Sequence, residues 1–148
     1  MKPEHAVTIN RKISAPLDAV YAAFTQPGRM RGWMGEVDAD VRVGGRYRIR
    51  LRDDDGSTYV HQGVYELLEP PRRIVMMLQA GPERAKPAAS PARTEEFIEL
   101  RFIPLGPAET EVWLLNGWHG DDLDDAGAKA AEAAWLLWLE RLDAYLRV

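Results

Sequence analysis

Few side chains in this sequence are of a kind that does covalent or metal chemistry, and their spacing narrows the field further. There are three histidines, His5, His61 and His119, and no cysteine. Without a thiol the chain offers no disulfide, thiolate metal site, iron–sulfur ligand set or cysteine nucleophile. His61 shares one phase of an alternating run with Tyr59 and Tyr65. An imidazole there either lines a cavity and exchanges a hydrogen bond with a ligand, or bonds a strand neighbour. His119 precedes Gly120-Asp121-Asp122, with Asp124 and Asp125 beyond. The alternating acids and distal Glu of a calcium loop are missing, so these acids read as the N-cap and first turn of a helix. No metal is expected, and His5 falls in a frayed terminus. Glu96, in phase with Ile98 and Leu100, is the one carboxylate to watch for acid–base work, although its place reads as an exposed strand end.

Other motifs are poorer still. Gly44-Gly45 is not part of a GxGxxG or GxxxxGK[ST] string and reads as a hairpin turn. No G-x-S-x-G elbow occurs, and no Ser, Thr or Lys stands beside an obvious base. Arg46, Arg48, Arg50 and Arg52 form a row that reads as the solvated face of a half-buried strand. The unusual component is five tryptophans, Trp33, Trp113, Trp118, Trp135 and Trp138. Such rings suit cavity walls as well as core packing. Trp113 is out of phase with Val112 and Leu114, so with Leu115 it could form a homodimer patch.

The elements that must position these groups follow from periodicity. Residues 7–14 alternate and end at Pro16; Leu17, Val20, Tyr21 and Phe24 then recur at helical spacing. Pro27-Gly28 breaks this helix, and a second short one carries Met30, Trp33 and Met34. Strands are expected at 36–43, 46–52, 57–68, 73–79, 95–103 and 110–118, the fourth phase running Tyr59, His61, Gly63, Tyr65 and Leu67. Residues 80–93, with three prolines, read as a loop. From Asp121 to about Leu146 runs a helix of about 39 Å, long enough to cross a sheet. Trp135, Leu139, Leu142 and Leu146 form its apolar stripe, widened by Trp138 and Tyr145. Hairpin-length turns imply an antiparallel sheet, and one long amphipathic helix must cover its apolar face.

Composition sets the outer limits. The 148 residues fit one domain over 1–148, with 46% hydrophobic and 28% charged residues, an ordinary globular mix. A net charge of −4 gives no basic footprint for nucleic acid. No apolar run approaches the ~20 residues of a membrane span and no leader is visible, so a cytoplasmic protein is expected.

Order and local strings together resemble the START-like, helix-grip superfamily called SRPBCC. Within it the chain is similar to the branch named after the C-terminal domain of the activator of the heat-shock-protein-90 ATPase. The match is carried by Ile13-Ser14-Ala15-Pro16 with Val20 and Phe24, then Pro27 and Trp33, then Gly44-Gly45-Arg46-Tyr47. It continues through His61-Gln62-Gly63-Val64-Tyr65, Pro70-Pro71-Arg72-Arg73-Ile74, and Ala134-Trp135 with Leu139, Leu142, Tyr145 and Leu146. Asn116 stands where that branch often has His or Glu, and Ala134 where it usually has Gly. The resemblance implies an α+β fold: a curved antiparallel sheet of about seven strands wrapped on a long C-terminal helix, with two short helices after the first strand.

Apolar strand phase, aromatic helix stripe and resemblance together point to a non-enzymatic binding domain. A small, largely apolar or amphipathic ligand would sit between sheet and helix. The expected walls are Trp33, Tyr47, Ile49, Tyr59, His61, Tyr65, Leu100, Phe102, Leu114, Asn116, Trp135, Leu139 and Leu142, with His61 and Asn116 orienting a polar end. No cofactor is expected. The resemblance leaves two alternatives: a protein-interaction module or chaperone cofactor, and a cyclase- or dehydratase-like enzyme using His61 or Glu96.

Overall fold

Alternating apolar residues produce strands here, and the turns between them decide which strands pair. The computed structural model describes residues 5–52, 56, 58–82, 95–119 and 124–147, with residues 52 and 80–82 described by backbone alone. In order these form β1 (His5–Ile13), α1 (Leu17–Thr25), α2 (Pro27–Met30), β2 (Glu36–Ala39), β3 (Arg46–Arg52), β4 (Thr58–Glu69), β5 (Arg73–Pro82), β6 (Glu96–Gly106), β7 (Glu109–Trp118) and α3 (Asp125–Leu146).

The seven strands form one sheet in the order β1-β7-β6-β5-β4-β3-β2, every pair antiparallel. From β2 to β7 each strand pairs with its successor, as hairpins require. The α1–α2 segment carries the chain from one edge of the sheet to the other. The result is the curved sheet, long C-terminal helix and paired short helices of the helix-grip fold.

The inward phase of each strand feeds one apolar cluster. Ile9 and Ile13 of β1, Ile98, Leu100 and Phe102 of β6, and Val112 and Leu114 of β7 meet Val20 and Phe24 of α1 and Leu139 and Leu142 of α3. Burial of such side chains contributes about 1.5–3 kcal/mol each and is what holds the layers together.

Several elements differ from the sequence expectation. α2 ends at Met30, so Trp33 and Met34 follow it in a turn and are not carried on the helix, and β6 runs on to Gly106 instead of stopping at 103. β2 stops at Ala39 rather than 43 because the chain turns early: Asp40 N–H donates to Arg46 and Gly45 N–H to Arg42. Gly44 adopts φ +83°, and a Cβ on Gly45 would collide with the Asp40 carbonyl, so the glycine pair is what lets the turn close. In β4 a register shift between Tyr65 and Leu67 reverses the alternation, so Leu68 rather than Leu67 packs on the core. β5 extends to Pro82, into the expected loop; residues 83–93 lie outside the described set. α3 starts at Asp125, with Asp124 Oδ1 accepting from the Gly127 N–H at 2.7 Å, so its 22 residues span about 33 Å.

The α3 backbone comes closest to β1 and α1. Its C-terminal half is tied down by Asp143, which accepts from the Ser14 N–H at 3.0 Å and from Arg147 at 2.8 Å and lies 3.6 Å from Arg11. Trp135 and Trp138 reach from α3 toward His61 of β4, and space is left beside them.

Candidate functional site

That space is a cavity of about 1220 Å³ between α3, the β3–β4 strands and the segment from Arg31 to Glu36. One wall is aromatic because three elements each present a ring there. Trp33 is held by its indole N–H, which donates to the Ala23 carbonyl at 2.9 Å. It sits edge-on to Phe24 at 5.0 Å and to Trp138 at 5.9 Å. Trp135 and Trp138, one turn apart on α3, meet edge-to-face at 5.3 Å. His61 of β4 stacks on Trp138 at 5.3 Å with the planes 20° apart, and Tyr59 meets His61 at 5.7 Å. Contacts of this geometry add about 0.5–1.5 kcal/mol each beyond area, so the wall is preorganised rather than loose.

The floor is polar. Trp135 donates its indole N–H to Asn116 Oδ1 at 2.8 Å, and Asn116 Nδ2 donates to Glu96 Oε1 at 3.0 Å. Asn116 and Glu96 come from paired strands β7 and β6 and are both buried. Glu96 is therefore not the exposed strand end its sequence position suggests. The residue is 5% exposed, lies between β5 and β7, and lines the cavity. Burial in the aromatic wall drives the His61 imidazole down to about 4, so at neutral pH it is uncharged and presents one donor and one acceptor.

The thirteen expected wall residues divide into three groups. Trp33, Tyr59, His61, Asn116 and Trp135 line the large cavity. Tyr47, Ile49 and Tyr65 instead surround a void of about 20 Å³ beneath His61, about the size of one water. There the Tyr47 hydroxyl donates to the Met77 carbonyl at 2.7 Å. Burial pushes the Tyr47 and Tyr65 hydroxyls above the usual phenol range, with the neighbouring Tyr65 and Glu96 charges adding to the effect on Tyr47. Leu100, Phe102, Leu114, Leu139 and Leu142 pack in the core and line neither space.

Several lining residues were absent from that expectation: Trp138, Glu96, Leu78, Tyr145, Arg31 and Arg141. Trp138 and Glu96 carried a signal, a helix position three after Trp135 and a strand position two before Ile98. Arg31 and Arg141 carried none, since an exposed arginine looks the same whether or not a cavity opens beside it.

Elsewhere, Trp113 is half-buried with the Arg101 guanidinium 5.4 Å from its ring centroid. Arg46 and Arg48 are exposed, Arg50 is half-buried and pairs with Glu36 at 2.9 Å, and the Arg52 side chain lies outside the described set. Asp121 and Asp122 also lie outside it. Among the described residues no three His, Asp or Glu side chains gather as a metal site, and no helix is long and apolar enough to cross a membrane.

The family described as Activator of Hsp90 ATPase homolog 1-like protein matches residues 14–147. No curated protein matches the chain. Among solved structures, protein MLL2253 of Mesorhizobium loti superposes with a TM-score of 0.76 at 22% identity, covering 97% of each chain. CalU16 of Micromonospora echinospora gives 0.68 at 23% identity, over 95% of this chain and 75% of its own. DynU16, from the dynemicin biosynthetic locus, gives 0.74 at 21% identity, over 99% of this chain and 48% of its own. At these identities the likeness is one of fold.

Proposed function

Since the chain belongs to the Activator of Hsp90 ATPase homolog 1-like family, in the START-like helix-grip superfamily, we propose that it is a binding protein for a small, largely apolar ligand held between the sheet and α3. The supporting observation is the cavity of about 1220 Å³, walled by Trp33, Tyr59, His61, Trp135 and Trp138 and floored by Asn116 and Glu96. Ligand sites are commonly about 300–1,000 Å³, apolar with a few convergent polar groups, and this one has that make-up at the large end of the range. On this reading residues 1–148 act as one cytoplasmic ligand-binding domain. Native mass spectrometry of fresh protein, and tryptophan fluorescence against apolar and aromatic compounds, test it. A stoichiometric adduct that is lost in Ala134→Trp, an exposed α3 position lining the cavity, supports the reading. Failure of every compound to bind or to quench the cavity tryptophans defeats it.

A second reading rests on the burial of Glu96. A carboxyl group covered by protein and facing a cavity that also holds a neutral imidazole is equipped for proton transfer. In this reading the protein is a cyclase- or dehydratase-like enzyme with Glu96 and His61 as the acid–base pair. Turnover of a polyketide-like substrate that vanishes in both Glu96→Gln and His61→Gln supports it; binding without turnover returns the protein to the first reading. The family name also suggests a chaperone cofactor, for which a stoichiometric chaperone recovered with the protein is the test. A homodimer through half-buried Trp113 and Leu115 is tested by sedimentation of Trp113→Ser.

A further inference from the structure

Building on the reading of this cavity as a ligand site, we propose that its ligand is an anionic aromatic molecule, with its acid group at Arg141 and Arg31 and its rings against Trp138 and His61. The cavity has two chemically unlike ends. At one, Trp135, Asn116 and Glu96 form the hydrogen-bonded floor, which presents a carboxyl group. At the other, Tyr145 of α3 packs against Gly32. Arg31 directly precedes Gly32, and Arg141 lies one turn before Tyr145 on α3, so both arginines belong to the elements that meet at this contact.

Both arginines line the cavity and both are exposed. Arg141 makes no ion pair or hydrogen bond with any described residue. Arg31 uses its Nε–H on the Val37 carbonyl at 3.1 Å, which anchors the group at the rim. The remaining lining arginine, Arg50, is matched by Glu36 at 2.9 Å, so that pair adds little net charge. The rim is thus locally cationic in a chain whose net charge is −4. Guanidinium groups bind carboxylates and sulfonates through parallel charge-assisted hydrogen bonds, and they do so better beside an apolar wall than in open water.

The body of the ligand follows from the wall between the two ends. His61 and Trp138 are nearly parallel at 5.3 Å, and Trp135 meets Trp138 edge-to-face at 5.3 Å. These surfaces offer ring edges and faces to a flat partner. The neutral imidazole adds no charge that would draw an anion inward. An acid group is therefore directed to the rim, which gives the bound molecule one orientation.

Two dyes of the same ring skeleton separate the terms: 8-anilinonaphthalene-1-sulfonate, an anion, and N-phenyl-1-naphthylamine, which is neutral. Fluorescence titration of the full chain is expected to show the sulfonate binding about tenfold more tightly. Arg141→Gln weakens the sulfonate about fivefold or more and leaves the neutral dye unchanged, while Lys129→Gln, a cation on α3 outside the cavity lining, alters neither. Added salt acts as Arg141→Gln does. Equal affinity for the two dyes, or an equal loss of both in Arg141→Gln, overturns the anionic ligand but keeps the apolar cavity. Binding of neither dye overturns the cavity reading itself.

Discussion

The indole N–H of Trp135 lies 2.8 Å from Asn116 Oδ1 and ties the middle of α3 to the C-terminal end of β7. Asn116 passes the connection on to Glu96 at 3.0 Å, so one amide satisfies a donor on the helix and an acceptor on the next strand. Alanine can do neither, and an ionised aspartate can only accept. Asn116→Ala leaves the indole N–H and the carboxyl oxygen without this partner in a buried site, which costs about 2–3 kcal/mol. A loss of about 5–10 °C in Tm is expected for a chain of this size, read by thermal circular dichroism. Asn116→Asp places a second carboxyl beside Glu96, and the pair retains a proton. Its raised folded pKa means that this variant gains stability on acidification, unlike Asn116→Ala.

His61 makes stability depend on pH in a separate window. Burial lowers its folded value to about 4 from 6.5, so between those values the unfolded chain binds a proton that the folded one does not. The neutral imidazole's contribution is complete above pH 6.5 and is lost as pH falls toward 4. By linkage it amounts to at most about 3 kcal/mol. Urea unfolding of wild type and His61→Phe at pH 7.5, 6 and 4.5 checks this: the variant is expected to have a flatter profile. Parallel profiles would show that protons bound elsewhere govern the slope.

Much of this arrangement was legible in the chain because alternation and burial agree. Ile98, Leu100 and Phe102 face one way on β6, Val112 and Leu114 match them on β7, and all five lie in the core. Trp135 and Asn116 could be placed on facing elements, but not at bonding distance. That contact depends on how α3 is seated on the sheet, which Asp143 helps to set by meeting Ser14 and Arg11. Leu67 was misplaced because the bulge after Tyr65 reverses phase without a Gly or Pro to mark it. Glu96 was misread because nothing local tells whether neighbouring strands reach a strand's first residue; here β5 runs past it and β7 ends level with it.

Asp143 is the polar latch of α3. Its burial alone would raise the carboxyl's pKa, but the Ser14 N–H, Arg147 and Arg11 outweigh this and hold it below 3.8. The contribution is therefore present above the unfolded value and is lost as pH falls through the lower folded one. Asp143→Asn removes the charge while keeping the shape; Arg147 loses its carboxylate partner, and Arg11 keeps only Glu140 at 3.7 Å. About 2–3 kcal/mol should be lost at pH 7, with the difference from wild type narrowing below pH 4. Hydrogen exchange should show faster opening in α3 than in β6, since only the helix loses its anchor.

Two glycines that touch neighbours closely should respond differently to the same methyl group. A Cβ on Gly63 would run into the Met77 carbonyl, which is fixed by the β4–β5 ladder and accepts from Tyr47. Backbone cannot yield there without breaking strand pairing, so Gly63→Ala should cost about 3 kcal/mol or more and lower the yield of folded protein. On Gly32 the obstacle is the ring of Tyr145, a side chain at the cavity rim. It can rotate outward, at a cost of about 1 kcal/mol. Gly32→Ala should therefore stay folded with Tm lowered by only about 3 °C, yet admit ligand faster because the Tyr145 closure is displaced. Stopped-flow association of the neutral dye measures this: a rate rise in Gly32→Ala matched by Tyr145→Ala locates the entrance there, whereas an unchanged rate in both places the entrance at the N-terminal half of α3.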